Sequence, residues 1–401
     1  MAITPRSPGD YAPSTGARAI ERLAAAAEPL DGARVLHVSS AGADGRVPEL
    51  LGGVLPLAAG FGLEVEWRVL FGSPELRTAT AALQAGLRGA ESALDEAVWE
   101  SLLESWERTG RGLYGYDLVV LHDAAIGLAA GIESGAVWHC HDDASRAEAD
   151  ALERLRPLAG RCRLVLVPDD SFAPPSIEAQ AAPPGIDPLD ARNIPLETRL
   201  PGRVVRPLGI DLERPFCLQV LELDRFDDPH PVIEAYRLAS DQEPELQLVL
   251  AALLDSSDSG GWQAAKEIAD YAAGAAAVRL VTSYEGLGNL ELGALQLLAR
   301  AVIESSLAEG FELAPCEALW KRTPVIGMSG GGLPLIVRDG VEGYLVADAE
   351  QAAARMVELV RDPGLAAELG RAGRERVRER FLVTGALERE LRALAGTLQS
   401  A

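Results

Sequence analysis

Two glutamates, Glu309 and Glu317, stand either side of a predicted crossing from a strand to a helix. The apolar run 301–303 is typical of a buried strand, and Pro315 suits the first turn of a helix. Open α/β sheets bind ligands at such crossings, where the free N–H groups of a helix N-terminus favour an anion. The same spacing also fits a solvated loop acid followed by an acid that the helix dipole stabilises. The pair therefore marks a candidate ligand site and leaves its chemistry open.

Polar residues also follow two predicted strands in the first half of the chain. His122 and Asp123 end one strand, and the run His139-Cys140-His141-Asp142-Asp143 follows the next. Histidine, cysteine and aspartate all bind zinc, and residues two apart on a strand, such as His139 and His141, can share a face. A metal site and ordinary strand-end histidines are the alternatives that the residues themselves leave for this region.

Composition limits the class of protein and of partner. The chain has 401 residues, of which 48% are hydrophobic and 24% charged, as is typical of a globular protein with more than one domain. The net charge of −23 argues against nucleic acid or an anionic membrane as partner, because both require clustered positive charge. The sequence has no basic and apolar N-terminal signal and no uncharged apolar run of ~18 residues, so a cytoplasmic protein is expected.

The four cysteines are too widely spaced for a zinc ribbon or a disulfide framework. No Cys-x-x-Cys pair occurs among Cys140, Cys162, Cys217 and Cys316. They are therefore expected to be reduced and mostly buried.

Strands and helices alternate twice along the chain, with a proline-rich break between the two series. Predicted strands lie at 34–38, 62–71, 117–121, 136–138 and 163–167, and then at 216–220, 246–251, 278–282, 301–303, 324–327 and 343–346. This pattern predicts an α/β fold of two doubly wound, Rossmann-like domains that face each other across a cleft. The predicted divisions are a tail and helix at 1–30, a first domain at 31–187, a linker at 188–213, a second domain at 214–380 and a C-terminal helix at 381–401.

The order of these stretches resembles that of the GT-B retaining glycosyltransferases, and most closely of the trehalose-synthase type. That type joins a glucosyl group from a nucleotide-diphosphate donor to glucose. The resemblance covers nearly the whole chain. The stretches that carry it are 27–38, 116–123, Cys140-His141, 183–188, 232–237, Glu309-Gly310-Phe311, 317–321 and 331–346.

The resemblance implies an acceptor site in the first domain and a donor site in the second. It implies that Glu309 contacts the donor sugar, that Glu317 holds the nucleotide ribose, and that His141 lies at the sugar-site strand end and contributes to catalysis. It also places His122 and Asp123 at the acceptor and implies neither a cofactor nor a metal. The remaining positions that it places at the donor are Gly45, Glu222, Arg225, Asp227, Gly310, Phe311, Glu312 and Leu313.

The departures from the family pattern fall on the groups that bind diphosphate. The family sequence Ser-Arg-x-Asp-x-x-Lys-Asp-Pro aligns without gaps to 221–229, where Glu222 replaces the arginine and Asp227 the lysine. Each unit charge ~4 Å from the diphosphate is worth about 1 kcal/mol in water and about 4 at an effective dielectric of 20. Glu312 replaces a glycine that lets phosphate approach, and Asp44-Gly45-Arg46 replaces a triple glycine. These changes predict a large loss of donor affinity.

Two functions follow from these observations. The first is a degenerate homologue that keeps the scaffold, with a sugar-binding, regulatory or scaffold role, and does not transfer from a nucleotide-diphosphate sugar by the usual mechanism. The second is an active glucosyltransferase that makes trehalose with a rearranged donor site, using Arg225 or Arg46. A shifted alignment that restores Arg225 requires an insertion and a deletion, so the ungapped alignment and the first function are preferred. The expected ligand is a sugar or nucleotide sugar, and a homo-oligomer or a protein partner stays open.

Overall fold

The chain divides into two compact units. A computed structural model describes residues 3–40, 46–70, 73–91, 94–133, 135–221, 228–253, 259–275, 277–305, 310–328 and 330–399. The first unit comprises Met1–Asp187 and Phe381–Ala401, and the second comprises Pro188–Arg380. Within the described ranges, no helix combines the length and the apolar character that a membrane span requires.

Each unit contains one six-stranded sheet, and all strand pairs in both sheets are parallel. The strands of the first sheet are β1 (Arg34–Ser39), β2 (Glu64–Val69), β3 (Leu118–His122), β4 (Val137–His139), β5 (Leu164–Val167) and β6 (Gln180–Ala181). Those of the second are β7 (Phe216–Leu221), β8 (Gln247–Ala252), β9 (Val278–Thr282), β10 (Ala301–Glu304), β11 (Val325–Met328) and β12 (Gly343–Val346). The sequence prediction of two doubly wound α/β domains is confirmed; only the short edge strand β6 was not predicted.

The strand order identifies where each sheet would hold a ligand. The first sheet runs β2-β1-β3-β4-β5-β6, so its order reverses between β1 and β3. The second runs β12-β11-β10-β7-β8-β9 and reverses between β7 and β10. Ligands of open α/β sheets bind beyond the carboxyl ends of the strands at such reversals. The residues after β3 and after β10 therefore occupy the expected positions for two sites.

Helices connect the strands, and several of them contact strands of their own unit. They are α1 (Ala12–Thr15), α2 (Ala17–Ala27), α3 (Arg46–Gly60), α4 (Pro74–Leu87), α5 (Glu96–Arg111), α6 (Ala149–Ala159), α7 (Leu200–Val205), α8 (His230–Ser240), α9 (Ser259–Ala272), α10 (Asn289–Leu298), α11 (Leu313–Trp320), α12 (Leu333–Ile336), α13 (Ala349–Arg361), α14 (Pro363–Arg380) and α15 (Val383–Gln399). Short 3-10 turns occur at Pro8–Tyr11, Glu28–Leu30, Asp123–Ala130, Asp170–Phe172, Arg206–Leu208 and Ser283–Glu285. The helices in contact with strands of their own unit include α3, α8, α9, α11, α13 and α14. The last helix, α15, packs against α2 and α3 within the first unit.

Continuous burial explains why the strands could be recognised in the sequence. Every residue of β3 and β8 is buried, and Val249, Leu250 and Ala251 are completely inaccessible. Strands of a parallel sheet are covered by helices on both faces, so their sequences read as unbroken apolar runs.

One predicted helix ends elsewhere in the structure than the apolar pattern indicated. The apolar spacing predicts a helix over 93–109. The helix spans Glu96–Arg111 instead, because the Asp95 side chain accepts a hydrogen bond from the N–H of Ala97 and caps it. Local hydrogen bonding therefore decides this boundary, which apolar spacing does not fix.

Phe381 and Leu382 lie between α14 and α15 and belong to neither helix. There Ile186 donates its N–H to the carbonyl of Phe381 and accepts the N–H of Val383, each at 2.9 Å. A Cβ at Gly185 would lie 2.6 Å from the carbonyl carbon of Leu382, so this close approach requires glycine. The backbone pairing separates α14 from α15.

The cysteines are predicted to be chemically inert in the folded protein. All four are free thiols; Cys140, Cys217 and Cys316 are buried and Cys162 is half-buried. Burial raises the pKa of Cys162 and of Cys217 to about 12, so the reactive thiolate is scarce at pH 8. We expect Ellman's reagent to release four equivalents from unfolded protein and almost none from native protein within minutes. Rapid release from native protein would contradict the burial.

Candidate functional site

The residues that the sequence singled out fall on both units. His122, Asp123 and His141 belong to the first unit, and the second unit holds Gly310, Phe311, Glu312, Leu313 and Glu317. Five further predicted residues, Gly45, Glu222, Arg225, Asp227 and Glu309, lie outside the described residues. The structure therefore describes part of each predicted site.

Glu317 is buried on α11, and three side chains bind its carboxylate. Arg192 Nη1 lies 3.4 Å from Oε1 and 3.5 Å from Oε2, and Asn193 Nδ2 lies 3.3 Å from Oε1. Gln296 Nε2 on α10 donates to Oε2 at 3.1 Å. Only 1% of the Glu317 side chain is exposed. The acid that the resemblance assigns to a ribose thus serves as the centre of a protein hydrogen-bond network.

Further contacts hold the partners of Glu317 in place. Lys321 Nζ donates to Asn193 Oδ1 at 2.8 Å and to the Glu317 carbonyl at 3.2 Å. Trp320 Nε1 donates to the Asn193 carbonyl at 3.2 Å. The sequence analysis missed Arg192 and Asn193, because it placed them in a proline-rich linker. A buried acid requires a compensating partner, but the sequence does not say which one.

The Gly310-Phe311 segment packs against a glycine turn before α12. A Cβ at Gly332 would lie 2.1 Å from the Gly310 carbonyl oxygen and 3.2 Å from Phe311 Cα, so glycine is required there. Phe311 is fully buried, and Glu312 is 4% exposed at the N-cap of α11. Position 312 therefore carries a buried acid next to a helix N-terminus.

In the first unit, strand register brings histidines together beyond the carboxyl ends of β3 and β4. His122 at the end of β3 pairs with His139 at the end of β4, and His37 lies on the neighbouring strand β1. His141 follows β4 by two residues, and its ring stacks on that of His139 with centroids 4.1 Å apart. We call His37, His122, His139 and His141 the histidine cluster. The sequence analysis identified three of its members and missed His37, whose only signal was its place on a buried strand.

The histidine cluster is linked by short contacts between ring nitrogens. His37 Nδ1 lies 3.1 Å from His122 Nε2, and His122 Nδ1 lies 2.9 Å from His141 Nε2. Burial lowers the pKa of His37, and it lowers those of His122 and His141 well below the usual value. These rings are therefore neutral at physiological pH.

Asp123 supports the cluster from an unusual backbone conformation. Its φ is +49°, in the left-handed region, which aspartate tolerates better than most residues. Its Oδ1 accepts the N–H of His141 at 2.7 Å, and its carbonyl accepts Trp138 Nε1 at 3.0 Å. Burial and the nearby Asp142 raise the pKa of Asp123 to about 7. Asp123 thus holds the backbone of His141 in position.

Asp142, which the sequence analysis noted only as a metal-type residue, is completely buried between two arginines. Arg88 Nε donates to its Oδ1 at 2.8 Å, Arg46 Nη2 donates to the same oxygen, and Gln84 Nε2 donates to Oδ2. Burial alone would raise the pKa of Asp142, but Arg88 and Arg46 bring it below its usual value. Arg46, which the sequence analysis offered as a donor-site cation, is thus engaged by an acid of its own unit.

Comparison with known proteins decides the family. Residues 37–174 match a family described as trehalose synthase, N-terminal domain, and residues 204–376 match glycosyl transferases group 1. The trehalose synthase of Rubrobacter xylanophilus is 35% identical over 385 residues, which cover 92% of each chain. The chain belongs to the trehalose synthase family. A second member, from Pyrococcus horikoshii, is 31% identical and is matched over 95% of this chain and 94% of its own.

Solved structures place this trehalose synthase homologue in the GT-B fold. A Burkholderia multivorans α,α-trehalose 6-phosphate synthase has a TM-score of 0.72 at 15% identity and covers 92% of this chain and 98% of its own. A sucrose-phosphate synthase from Thermosynechococcus elongatus has a TM-score of 0.68 at 19% identity, with 92% and 100% covered. The predicted family and the predicted fold class are confirmed.

Proposed function

We propose that this trehalose synthase homologue is degenerate on its donor side and does not transfer from a nucleotide-diphosphate sugar by the usual mechanism. The observation that carries the proposal is the carboxylate of Glu317. In the family, the matching acid holds the ribose of the nucleotide, yet here it accepts hydrogen bonds from Arg192, Asn193 and Gln296. A ribose hydroxyl would have to displace a partner from a buried acid, which costs the free energy of the lost bond.

Charge supports the same proposal. Glu312 is a buried acid at the start of α11, where the family has a glycine that admits phosphate. Glu222 and Asp227 stand in the sequence where the family has the arginine and lysine that bind diphosphate. Like charges held close together repel, and three acids in one anion site would oppose a diphosphate strongly.

Under this proposal the chain keeps a sugar-binding, regulatory or scaffold role in the cytoplasm. The residues proposed for a sugar are His122, Asp123 and His141 of the first unit. A role without catalysis is compatible with binding to a protein partner or to a second copy of the chain. Glu309 and His141 would then be inherited positions of a catalytic site.

An active glucosyltransferase is the second candidate. It is favoured by the 35% identity to a trehalose synthase over 92% of both chains. A further GT-B neighbour, the Anabaena protein HepE, was crystallised with UDP-glucose and has a TM-score of 0.64 at 16% identity. On this alternative, Arg225 would supply the positive charge that the diphosphate requires.

Isothermal titration calorimetry distinguishes the two candidates. The full chain is titrated with UDP-, ADP- and GDP-glucose, with and without glucose, and the mixtures are then assayed for trehalose. We expect neither micromolar binding nor trehalose. Micromolar binding of one donor together with trehalose formation would refute the degenerate assignment and establish the active enzyme.

Restoring the family charges is predicted to restore donor affinity. The double variant Glu222→Arg with Asp227→Lys changes the charge by four units, and we expect affinity for a nucleotide-diphosphate glucose to rise at least about tenfold. Calorimetry measures the gain.

A matched control separates local charge from net charge. The variant Glu267→Lys with Glu368→Arg makes the same change of net charge at two exposed acids of the same unit. We expect it to leave donor affinity unchanged. If the first double variant gains no more affinity than this control, the assignment of Glu222 and Asp227 to the diphosphate position is wrong.

A further inference from the structure

We propose that His122, His139 and His141 form a binding site for a zinc ion in the first unit. Each of the three buried side chains offers a ring nitrogen, and these nitrogens all lie within 4.8 Å of one another. Three imidazoles are a known ligand set for zinc, with a fourth position left for water or a further oxygen. The resemblance to glycosyltransferases implies no metal, so the site goes beyond the proposed function. It does not depend on the state of the donor side, but it shares His122 and His141 with the proposed sugar contacts, and a bound ion would engage these two side chains instead.

The distances between the nitrogens fit a small ion. Zinc binds histidine nitrogen at about 2.0–2.1 Å in tetrahedral geometry, which places two ligand nitrogens roughly 3.3 Å apart. His122 Nδ1 and His141 Nε2 are 2.9 Å apart, so the two rings need to separate by only a few tenths of an ångström. The rings of His139 and His141 stack with centroids 4.1 Å apart and planes 26° apart, so one ring has to rotate before both can bind the same ion.

In His122 and His139, the ring nitrogen that would not bind the ion lies near a group of the kind that orients metal-bound histidines. His122 Nε2 lies 3.1 Å from His37 Nδ1, which directs His122 Nδ1 toward the ion. His139 Nδ1 lies 3.8 Å from Glu390 Oε1, which leaves His139 Nε2 as the ligand. Metal-bound histidines generally donate their second nitrogen to a carboxylate or another acceptor, and a carboxylate partner also raises their basicity.

Burial without hydrogen bonds supports the same assignment. Among the described atoms, three buried ring nitrogens have no hydrogen-bond partner: both nitrogens of His139, and Nδ1 of His141. Buried polar atoms are normally satisfied, so such nitrogens in one place call for an explanation. A zinc ion would bind Nε2 of His139 and would draw its Nδ1 proton toward Glu390. The carboxylate of Glu390, itself 6% exposed, supplies compensating negative charge.

The distribution of histidine along the chain adds a separate argument. The chain has five histidines, and four of them form the cluster. The fifth, His230, lies in the second unit, where it is half exposed and contacts Asp228. Burying a polar side chain among apolar strands costs free energy unless a partner compensates it, so four buried histidines at one end of a sheet call for such a partner.

Metal content tests the proposal directly. The full chain is produced in zinc-supplemented cells, dialysed against metal-free buffer and analysed by plasma mass spectrometry. We expect about one zinc per chain in the unaltered protein and in the control His230→Ala, and none in His139→Ala. Unaltered protein without zinc, or His139→Ala with as much zinc as the control, would overturn the proposal.

Cobalt gives a second measurement that does not require the ligand variants to be stable. Cobalt(II) is added to chelator-treated, unaltered protein, and visible spectra are recorded. A four-coordinate site gives intense visible absorption that zinc then bleaches by displacing the cobalt. The variant His37→Gln should keep the absorption but bind zinc about 10–100-fold more weakly, as loss of an orienting partner predicts. Unaltered protein that takes up neither zinc nor cobalt would refute the site.

Discussion

Replacing Asp142 by asparagine is expected to lower the free energy of unfolding by about 3–5 kcal/mol, the usual cost of removing one partner from a buried ion pair. The Asp142 carboxylate is fully buried, and it faces the guanidinium groups of Arg46 and Arg88, whose side chains are 7% and 12% exposed. Asparagine keeps the shape but removes the charge that compensates both arginines. Urea denaturation followed by circular dichroism measures the loss.

The neighbouring residue provides the control. Asp143 is half-buried, and its Oδ1 accepts hydrogen bonds from the neighbouring Ser145, at 3.0 Å from N and 2.6 Å from Oγ. Asp143→Asn should therefore cost about 1 kcal/mol or less. Equal losses in the two variants would show that the arginine pair contributes nothing specific.

Replacing Glu317 by glutamine is expected to lower the free energy of unfolding of the second unit by a similar amount, about 3–5 kcal/mol. Glutamine has the same length, but it cannot neutralise Arg192, which is 11% exposed, and its amide nitrogen cannot accept the hydrogen bond from Asn193 or Gln296. Thermal and urea denaturation of the full chain measure the change. Tryptophan fluorescence, to which Trp320 next to Glu317 contributes, is followed together with circular dichroism.

An exposed ion pair in the same unit gives the matched control. Arg355 and Glu358 lie 2.7 Å apart on one face of α13 with side chains 43% and 38% exposed, so Glu358→Gln should cost less than about 1 kcal/mol. The nucleotide titrations give a second comparison. If Glu317 is structural, Glu317→Gln changes stability and leaves donor binding as weak as before. A variant of unchanged stability that loses measurable donor binding would instead assign Glu317 to the ribose.

The sequence predicted the architecture well, because the patterns that encode it are local. Buried parallel strands are continuous apolar runs, as in β8 and β10, and turns between them are marked by glycine and proline. The ordered stretches from 27 to 346 also carried the resemblance to the GT-B family, which the relatives confirmed.

The candidate sites were predicted less completely, since their residues are distant in sequence. Glu317 was identified from its spacing to Glu309, but its partner Arg192 lies 125 residues earlier, in a segment that looked like a linker. Asp142 was noted as a polar residue, whereas its pairing with Arg46 and Arg88 depends on where α3 and α4 pack. No local pattern encodes such pairs.

The sequence by itself determined the family and the two doubly wound domains, because both are encoded in contiguous stretches of residues. Only the tertiary structure showed that the Glu317 carboxylate accepts hydrogen bonds from protein side chains and that four buried histidines lie in contact with one another. Strand register and helix packing bring His37, His122 and His139 together from three strands, and these long-range contacts form only when the sheet is assembled. The chemistry of both sites depends on those contacts.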